Sequence, residues 1–228
     1  MQLHAALTEF AYAKDHAATS RAWYASRLGA FVAWAEGRGI LTPQHVAALM
    51  RACDRGETPE YVARDRAMLA VLLDTGLRAS ELCGLTFDRC IFTPDEAYLR
   101  LLGKGRKQCE VGLGKTARQL LHKYIHRHRG APKGVPYVFV AKGGRALTAE
   151  GLDRLLYRLR DWAGVSGVRV SAHTFRHTYA VRYIEQGGDV YKLSRLLGHA
   201  SVQTTEMYLR AFTARAARQG GSVLDAMA

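Results

Sequence analysis

The stretch from Arg66 to Asp74 contains Met68, Leu69, Ala70, Val71, Leu72 and Leu73 in one run, leaving a helix over it almost no polar face. A helix that is apolar all round is stable only when other elements enclose it, so the rest of the chain must pack around this one. Thr75-Gly76 ends it, because glycine adopts the left-handed conformation at little cost.

The flanking sequence supplies the enclosing elements, mostly as amphipathic helices. Thr42-Pro43 starts one, with proline at the first helical position and Val46, Leu49 and Met50 inward. Beyond Gly76 a short helix is expected from Ser80 to Leu85, which places Arg78 in the tight connection between two helices. Ala97 to Leu102 and Gln108 to Leu113 read as strands joined by Gly103 to Lys107, with Lys104 at the hairpin tip. Thr116 is expected to cap a helix that buries Ala117, Leu120, Leu121, Tyr124 and Ile125. Tyr137 to Val140 reads as a short strand, and Thr148 as the cap of a helix with Leu152, Leu155, Leu156, Leu159 and Trp162 inward. The fold class is mainly α with a small antiparallel β-sheet. Two earlier helices, around Leu3 to Ala11 and from Thr19 or Ser20 through Ala35, precede a boundary near Ile40.

Charge narrows the partners. There are 33 Lys+Arg against 20 Asp+Glu, a net of +13, which favours a polyanion. Residues 1 to 40 contribute little of this, with Lys14, Arg21, Arg27 and Arg38 set against Glu9, Asp15 and Glu36. The attraction therefore lies in the remainder, where Lys115, Arg118, Lys123, Arg127 and Arg129 form a candidate phosphate-tracking stripe beside Arg106 and Lys107. Cys53, Cys83, Cys90 and Cys109 have no paired spacing and read as idle thiols of a reducing compartment. His122, His126 and His128 lack an accompanying carboxylate or cysteine, so no metal is expected. No run approaches a membrane span or a leader, and a cytoplasmic protein is expected.

The chemistry is concentrated between Ser171 and Arg210. His173 and Arg176 share a helical face in His-Thr-Phe-Arg. Gly187 and Gly188 close that helix, and Asp189 caps another over Val190 to Leu197, with Val190, Leu193, Leu196 and Leu197 buried. Gly198 stops it and leaves His199 at its mouth, and Thr204-Thr205-Glu206-Met207-Tyr208 follows. His-x-x-Arg, Leu-Leu-Gly-His and Thr-Thr-x-x-Tyr in this order resemble the catalytic end of the tyrosine recombinases, the family of phage integrases and chromosome-dimer resolvases. That resemblance requires an upstream arginine in a Thr-Gly-Leu-Arg-x-x-Glu-Leu context, present at Thr75 to Leu82, and a lysine in a hairpin turn, present as Lys104. It covers roughly Leu41 to Arg210.

The residue types suit phosphodiester cleavage without metal, ATP or other cofactor. Arg78 and Arg176 offer planar forks of donors to the phosphate oxygens, neutralising charge that grows in the transition state. His199 adds a hydrogen bond. Tyr208 is the implied nucleophile; a free tyrosine with a pKa of about 10 is ionised only about once in a thousand at neutral pH, so it needs help. His173 is the candidate base or phosphate-orienting group, Lys104 the general acid for the leaving 5′ oxygen, and Glu81 a support for Arg78. The family's product is a 3′-phosphotyrosyl bond and a free 5′ hydroxyl, and reversal of that step by another strand exchanges DNA through a four-way junction.

The resemblance implies three parts: residues 1–40 as a shortened helical DNA-binding arm, 41–210 as the catalytic domain, and 211–228 as a tail that docks on a neighbouring protomer. It also implies double-stranded DNA as partner, a dimer on each site, a tetramer in synapsis, and an accessory DNA-bending protein in some systems. When bound to DNA the protein would be associated with the nucleoid. Two other readings share the features: a type IB topoisomerase-like relaxing enzyme, and a DNA-binding regulator derived from a recombinase. Taken singly, Arg78 beside Glu81 reads equally as a structural ion pair, and residues 190 to 208 as a helix-turn-helix.

Overall fold

The computed structural model describes residues 39–102, 108–129, 134–186, 192–193 and 196–197. Those from Leu41 onward belong to one compact unit. Its first helix, α1 (Pro43–Ala52), begins at a Thr42 cap in which the threonine hydroxyl accepts from His45 N and His45 Nδ1 accepts from Thr42 N. The histidine takes the part that glutamate usually plays in such a box.

The apolar run lies in α2 (Pro59–Thr75), which starts seven residues before Arg66. Arg64 and Asp65 interrupt the apolar pattern, so periodicity alone places the start at Arg66. Both are buried, at 7% and 2% exposure, and satisfy each other. Arg64 Nε donates to Asp65 Oδ1 at 2.8 Å, Nη1 donates to the Val140 carbonyl at 2.8 Å, and the guanidinium lies over the Tyr61 ring. Burial nevertheless pushes the Asp65 carboxyl upward, against the pull of Arg64. Ala67, Met68, Val71 and Leu72 are fully enclosed. Each large apolar side chain so buried contributes about 1.5–3 kcal/mol. The enclosing elements are α4 (Lys115–Lys123), the π-helical turn Tyr124–Arg129, and α6 (Ala172–Glu185).

Gly76, at φ 62°, ends α2, and α3 (Ala79–Cys83) follows at once. Among the described residues three strands form an antiparallel sheet ordered β1 (Cys90–Phe92), β2 (Ala97–Leu102), β3 (Gln108–Gly112). Tyr98 pairs with Gly112 and Leu102 with Gln108. β1 is too short and too evenly half-buried to alternate, so periodicity did not reveal it.

The strand expected at Tyr137 to Val140 is instead a buried connection with isolated bridges, Thr86 to Tyr137 and Val140 to Ala146. Val138 N donates to the Leu85 carbonyl, and Tyr124 Oη to the Val138 carbonyl. A short apolar run does not by itself distinguish a strand from buried coil. α4 starts one residue before Thr116, capped by Gly114, whose N–H is held by Asp74 Oδ2. α5 (Ala149–Ala163) has the expected Thr148 cap and buries Leu152, Leu155, Leu156 and Leu159.

α6 carries buried polar groups as well as apolar ones, namely Thr174, Arg176 and Thr178 beside Phe175 and Ala180. Thr178 Oγ1 accepts from Leu41 N at 2.9 Å and donates to the Thr174 carbonyl, tying the start of the unit to this helix. The Cys53 and Cys83 thiols are free and buried, and Cys90 is half-buried and free. Burial leads in raising them, to about 12 for Cys53, 11 for Cys83 and 12 for Cys90. No described helix is long and apolar enough to cross a membrane.

Candidate functional site

The corner between α2 and α3 is built from Thr75-Gly76-Leu77-Arg78. Gly76 is required twice over. Its φ is left-handed, and a Cβ there would lie 2.6 Å from Tyr179 Cδ1 and 3.2 Å from Leu197 Cδ2. Leu77 is buried and pins the corner to the core. Arg78 then occupies the cap position of α3 in extended backbone, and Glu81 reaches back to it. Glu81 Oε2 accepts from Arg78 N at 2.8 Å and Oε1 from Arg78 Nη1 at 2.7 Å. The Arg78 side chain is 44% exposed, so its guanidinium is oriented by a neighbour three residues away while facing outward.

Arg176 is held differently. It is 7% exposed, and it donates to backbone carbonyls from two other parts of the chain. Nη1 donates to the Gly76 carbonyl at 2.9 Å, and Nη2 donates to the Leu197 carbonyl. Gly76 is two residues before Arg78, and Leu197 two residues before His199. One buried guanidinium therefore ties α6 to the segments that carry two of the other candidate residues. Leu193 and Leu197 are buried and joined by a Leu197 N to Leu193 carbonyl bond of 2.9 Å, a helical turn with those side chains inward as expected.

His173 lies one turn before Arg176 and is exposed. Its Nε2 is 2.7 Å from Nε2 of His177, with ring centroids 4.3 Å apart and the rings at 89°. His177 is absent from the residues expected from sequence, although its place four residues after His173 puts it on the same helical face. Asp74, equally unmarked in sequence, grips Gly114 N and so fastens the last turn of α2 to the foot of the β2–β3 hairpin. Tyr179, the residue that packs against Gly76, had no distinguishing mark in sequence.

The remaining expectations divide. Lys104, Arg106 and Lys107 at the hairpin tip, His199, Tyr208, the Asp189 cap with Gly187 and Gly188, residues 1–38 and the tail 211–228 lie outside the described residues. Of the basic stripe, Lys115, Lys123 and Arg127 are exposed. Arg118 donates through Nη2 to the carbonyls of Thr93 and Pro94, at 2.6 and 3.2 Å. Arg129 donates to those of Val135 and Tyr137, at 3.0 and 3.1 Å, and its guanidinium lies over Phe87. These two arginines brace loops. The stripe also crosses from α-helix to π-helix at Tyr124, which breaks the spacing that one continuous helix would give. His122 packs on Phe92 and His126, and partial desolvation, then the charges of His126, Arg118 and Arg127, lower its pKa.

Chemically, the described part of the site offers two guanidiniums of fixed charge held at one glycine corner, and an exposed imidazole on the helix that carries the second of them. Such a set suits an oxyanion of phosphate, which accepts several charge-assisted hydrogen bonds at once.

The model of the phage integrase family matches residues 40–215. The chain is 33% identical over 171 residues to tyrosine recombinase XerD of Halalkalibacterium halodurans, covering 74% of this chain and 56% of that one. It is 35% identical over 177 residues to the putative integrase/recombinase y4rC of Sinorhizobium fredii, covering 75% and 52%. It spans about half the length of the curated relatives it matches. Among solved structures, XerA recombinase superposes with a TM-score of 0.67 at 24% identity, over 80% of this chain and 64% of that one. XerH site-specific recombinase bound to its difH substrate gives 0.64 at 24%, over 75% and 49%. At that identity the structural likeness speaks for the fold.

Proposed function

Because the chain belongs to the phage integrase family, we propose that it is a site-specific recombinase that cuts and rejoins DNA through a 3′-phosphotyrosyl intermediate, without metal or ATP. One observation carries the reading furthest. The buried Arg176 guanidinium is bonded to the carbonyl of Gly76, so the His-x-x-Arg helix and the Thr-Gly-Leu-Arg corner, 100 residues apart, meet at one place.

In this reading Arg78 and Arg176 bind the non-bridging oxygens of the scissile phosphate and neutralise the charge that builds in the pentavalent transition state. His199 donates a further hydrogen bond. Tyr208 attacks phosphorus, His173 takes its proton, and Lys104 protonates the leaving 5′ oxygen. Glu81 keeps Arg78 aimed. Attack by a 5′ hydroxyl from a second duplex reverses the step and joins new partners.

The wider assembly follows from the same reading. Residues 41–210 act as the catalytic domain, 1–40 as part of a helical DNA-binding arm, and 211–228 as a tail that docks on a neighbouring protomer. Double-stranded DNA is the substrate, with a dimer on each site and a tetramer in synapsis, in the cytoplasm. Arg106, Lys107, Lys115, Lys123 and Arg127 follow the phosphate backbone, with the residual donors of Arg118 and Arg129 beside them. An accessory DNA-bending protein assists the assembly. The Tn1549 transposon integrase, a fold neighbour, is in complex with circular intermediate DNA, which supports DNA as partner here.

Strand exchange tests the function. Two differently labelled duplexes carrying the DNA that flanks the protein's own coding sequence are incubated with the full chain. Recombinant duplexes and four-way junctions are expected; relaxation of supercoils without exchange would point instead to a topoisomerase.

A further inference from the structure

We propose that His177 is a positioning residue for strand cleavage, holding the His173 imidazole so that its Nδ1 lone pair is the atom offered to the nucleophile's hydroxyl. The inference rests on the recombinase reading above. His173 and His177 stand four apart on α6, and their Nε2 atoms are 2.7 Å apart. At that distance the two nitrogens share one proton, since two N–H groups would repel each other, and so would two lone pairs. One ring therefore carries a proton on Nε2. The other, when neutral, must carry its proton on Nδ1.

Neutral imidazole in water holds its proton mainly on Nε2, so the pair forces one ring into the less common tautomer. His173 is exposed and His177 half-buried. With His173 donating, the exposed ring keeps its ordinary tautomer and leaves its Nδ1 unprotonated, able to accept, and the sheltered His177 takes the Nδ1–H form. The opposite assignment would give His173 an Nδ1–H, a group that donates but cannot accept a proton. The near-perpendicular rings, at 89°, fix the direction of that lone pair as well as its availability. In the reaction the hydroxyl O–H bond breaks as the oxygen–phosphorus bond forms, and the proton passes to His173 Nδ1. The phosphorus bond to the 5′ oxygen breaks, and Lys104 protonates that oxygen.

Two measurements on the full chain decide the matter. The first is the ¹⁵N imidazole spectrum at about pH 8, where ordinary histidines are neutral; His177 is expected as the Nδ1–H tautomer and His173 as Nε2–H. Finding His177 as Nε2–H would overturn the proposal. The second is the rate of covalent adduct formation on nicked duplexes of the flanking DNA. His177→Phe keeps a ring but loses the acceptor, and is expected to slow adduct formation roughly 10- to 100-fold, the usual effect of losing a ligand-orienting partner. His177→Gln, whose amide oxygen again accepts from His173, is expected to recover most of that loss, which a purely structural role would not produce. An unaltered rate in His177→Phe, with the wild-type chain active, would overturn this inference alone. No adduct from the wild-type chain would overturn the recombinase reading and this inference with it.

Discussion

Arg78 and Arg176 are proposed to hold the same phosphate, yet the chain secures them in opposite ways. Arg78 is exposed and steered by Glu81 three residues on, at the cap of a helix of five residues. Arg176 is buried and bonded to carbonyls 100 and 21 positions away. The first is a local device, the second a joint between distant segments. Removing the first should mainly disarm the site, whereas removing the second should also loosen the fold around it.

That contrast sets an order of effects. Arg176→Ala leaves two buried carbonyls without their charged donor, and is expected to cost about 3–4 kcal/mol in urea unfolding, with no adduct formed. Arg176→Lys should not restore it, because one ammonium cannot reproduce the fork between two carbonyls. Gly76→Ala puts a methyl group against Tyr179 in left-handed backbone, and is expected to cost about 2 kcal/mol by the same measurement. Arg78→Ala should lower stability by less than about 1 kcal/mol, as for other exposed ion pairs. It should nevertheless slow adduct formation by about 100-fold or more, the usual loss when a preorganised transition-state donor goes. Glu81→Gln can keep the bond to Arg78 N while losing the ion pair. A stability change within about 0.5 kcal/mol is expected, and a drop of about tenfold in adduct formation. If Arg176→Ala proved as mild in unfolding as Arg78→Ala, the distinction between joint and local device would fail.

The same contrast explains what could be read from sequence. The Arg78 corner was legible because its causes are local: an apolar helix, a Thr-Gly stop, and a glutamate at the third position of the next turn. α5 and its Thr148 cap were legible for the same reason. Arg64 and Asp65 misled, since two adjacent charges look like a helix end until the structure shows them buried against each other and the Val140 carbonyl. Tyr137 to Val140 misled because an apolar run reports burial and says nothing of whether a neighbouring strand exists to pair with it. Arg118 and Arg129 looked like free surface charge, and only the loops at Thr93 and Val135 reveal their partners. His177 was hidden by its context, being a helical histidine beside a motif that already accounted for its neighbours.

Covalent capture tests the central claim most directly. The full chain is incubated with nicked duplexes spanning its flanking DNA, denatured, and examined for protein joined to a 3′ end, alongside Tyr208→Phe, Arg78→Ala and Arg176→Ala. The account predicts a denaturant-resistant adduct in the wild type that Tyr208→Phe abolishes, with Arg78→Ala folded but nearly inactive. DNA binding without any adduct on a duplex that contains the true site, or an adduct that survives Tyr208→Phe, would contradict it.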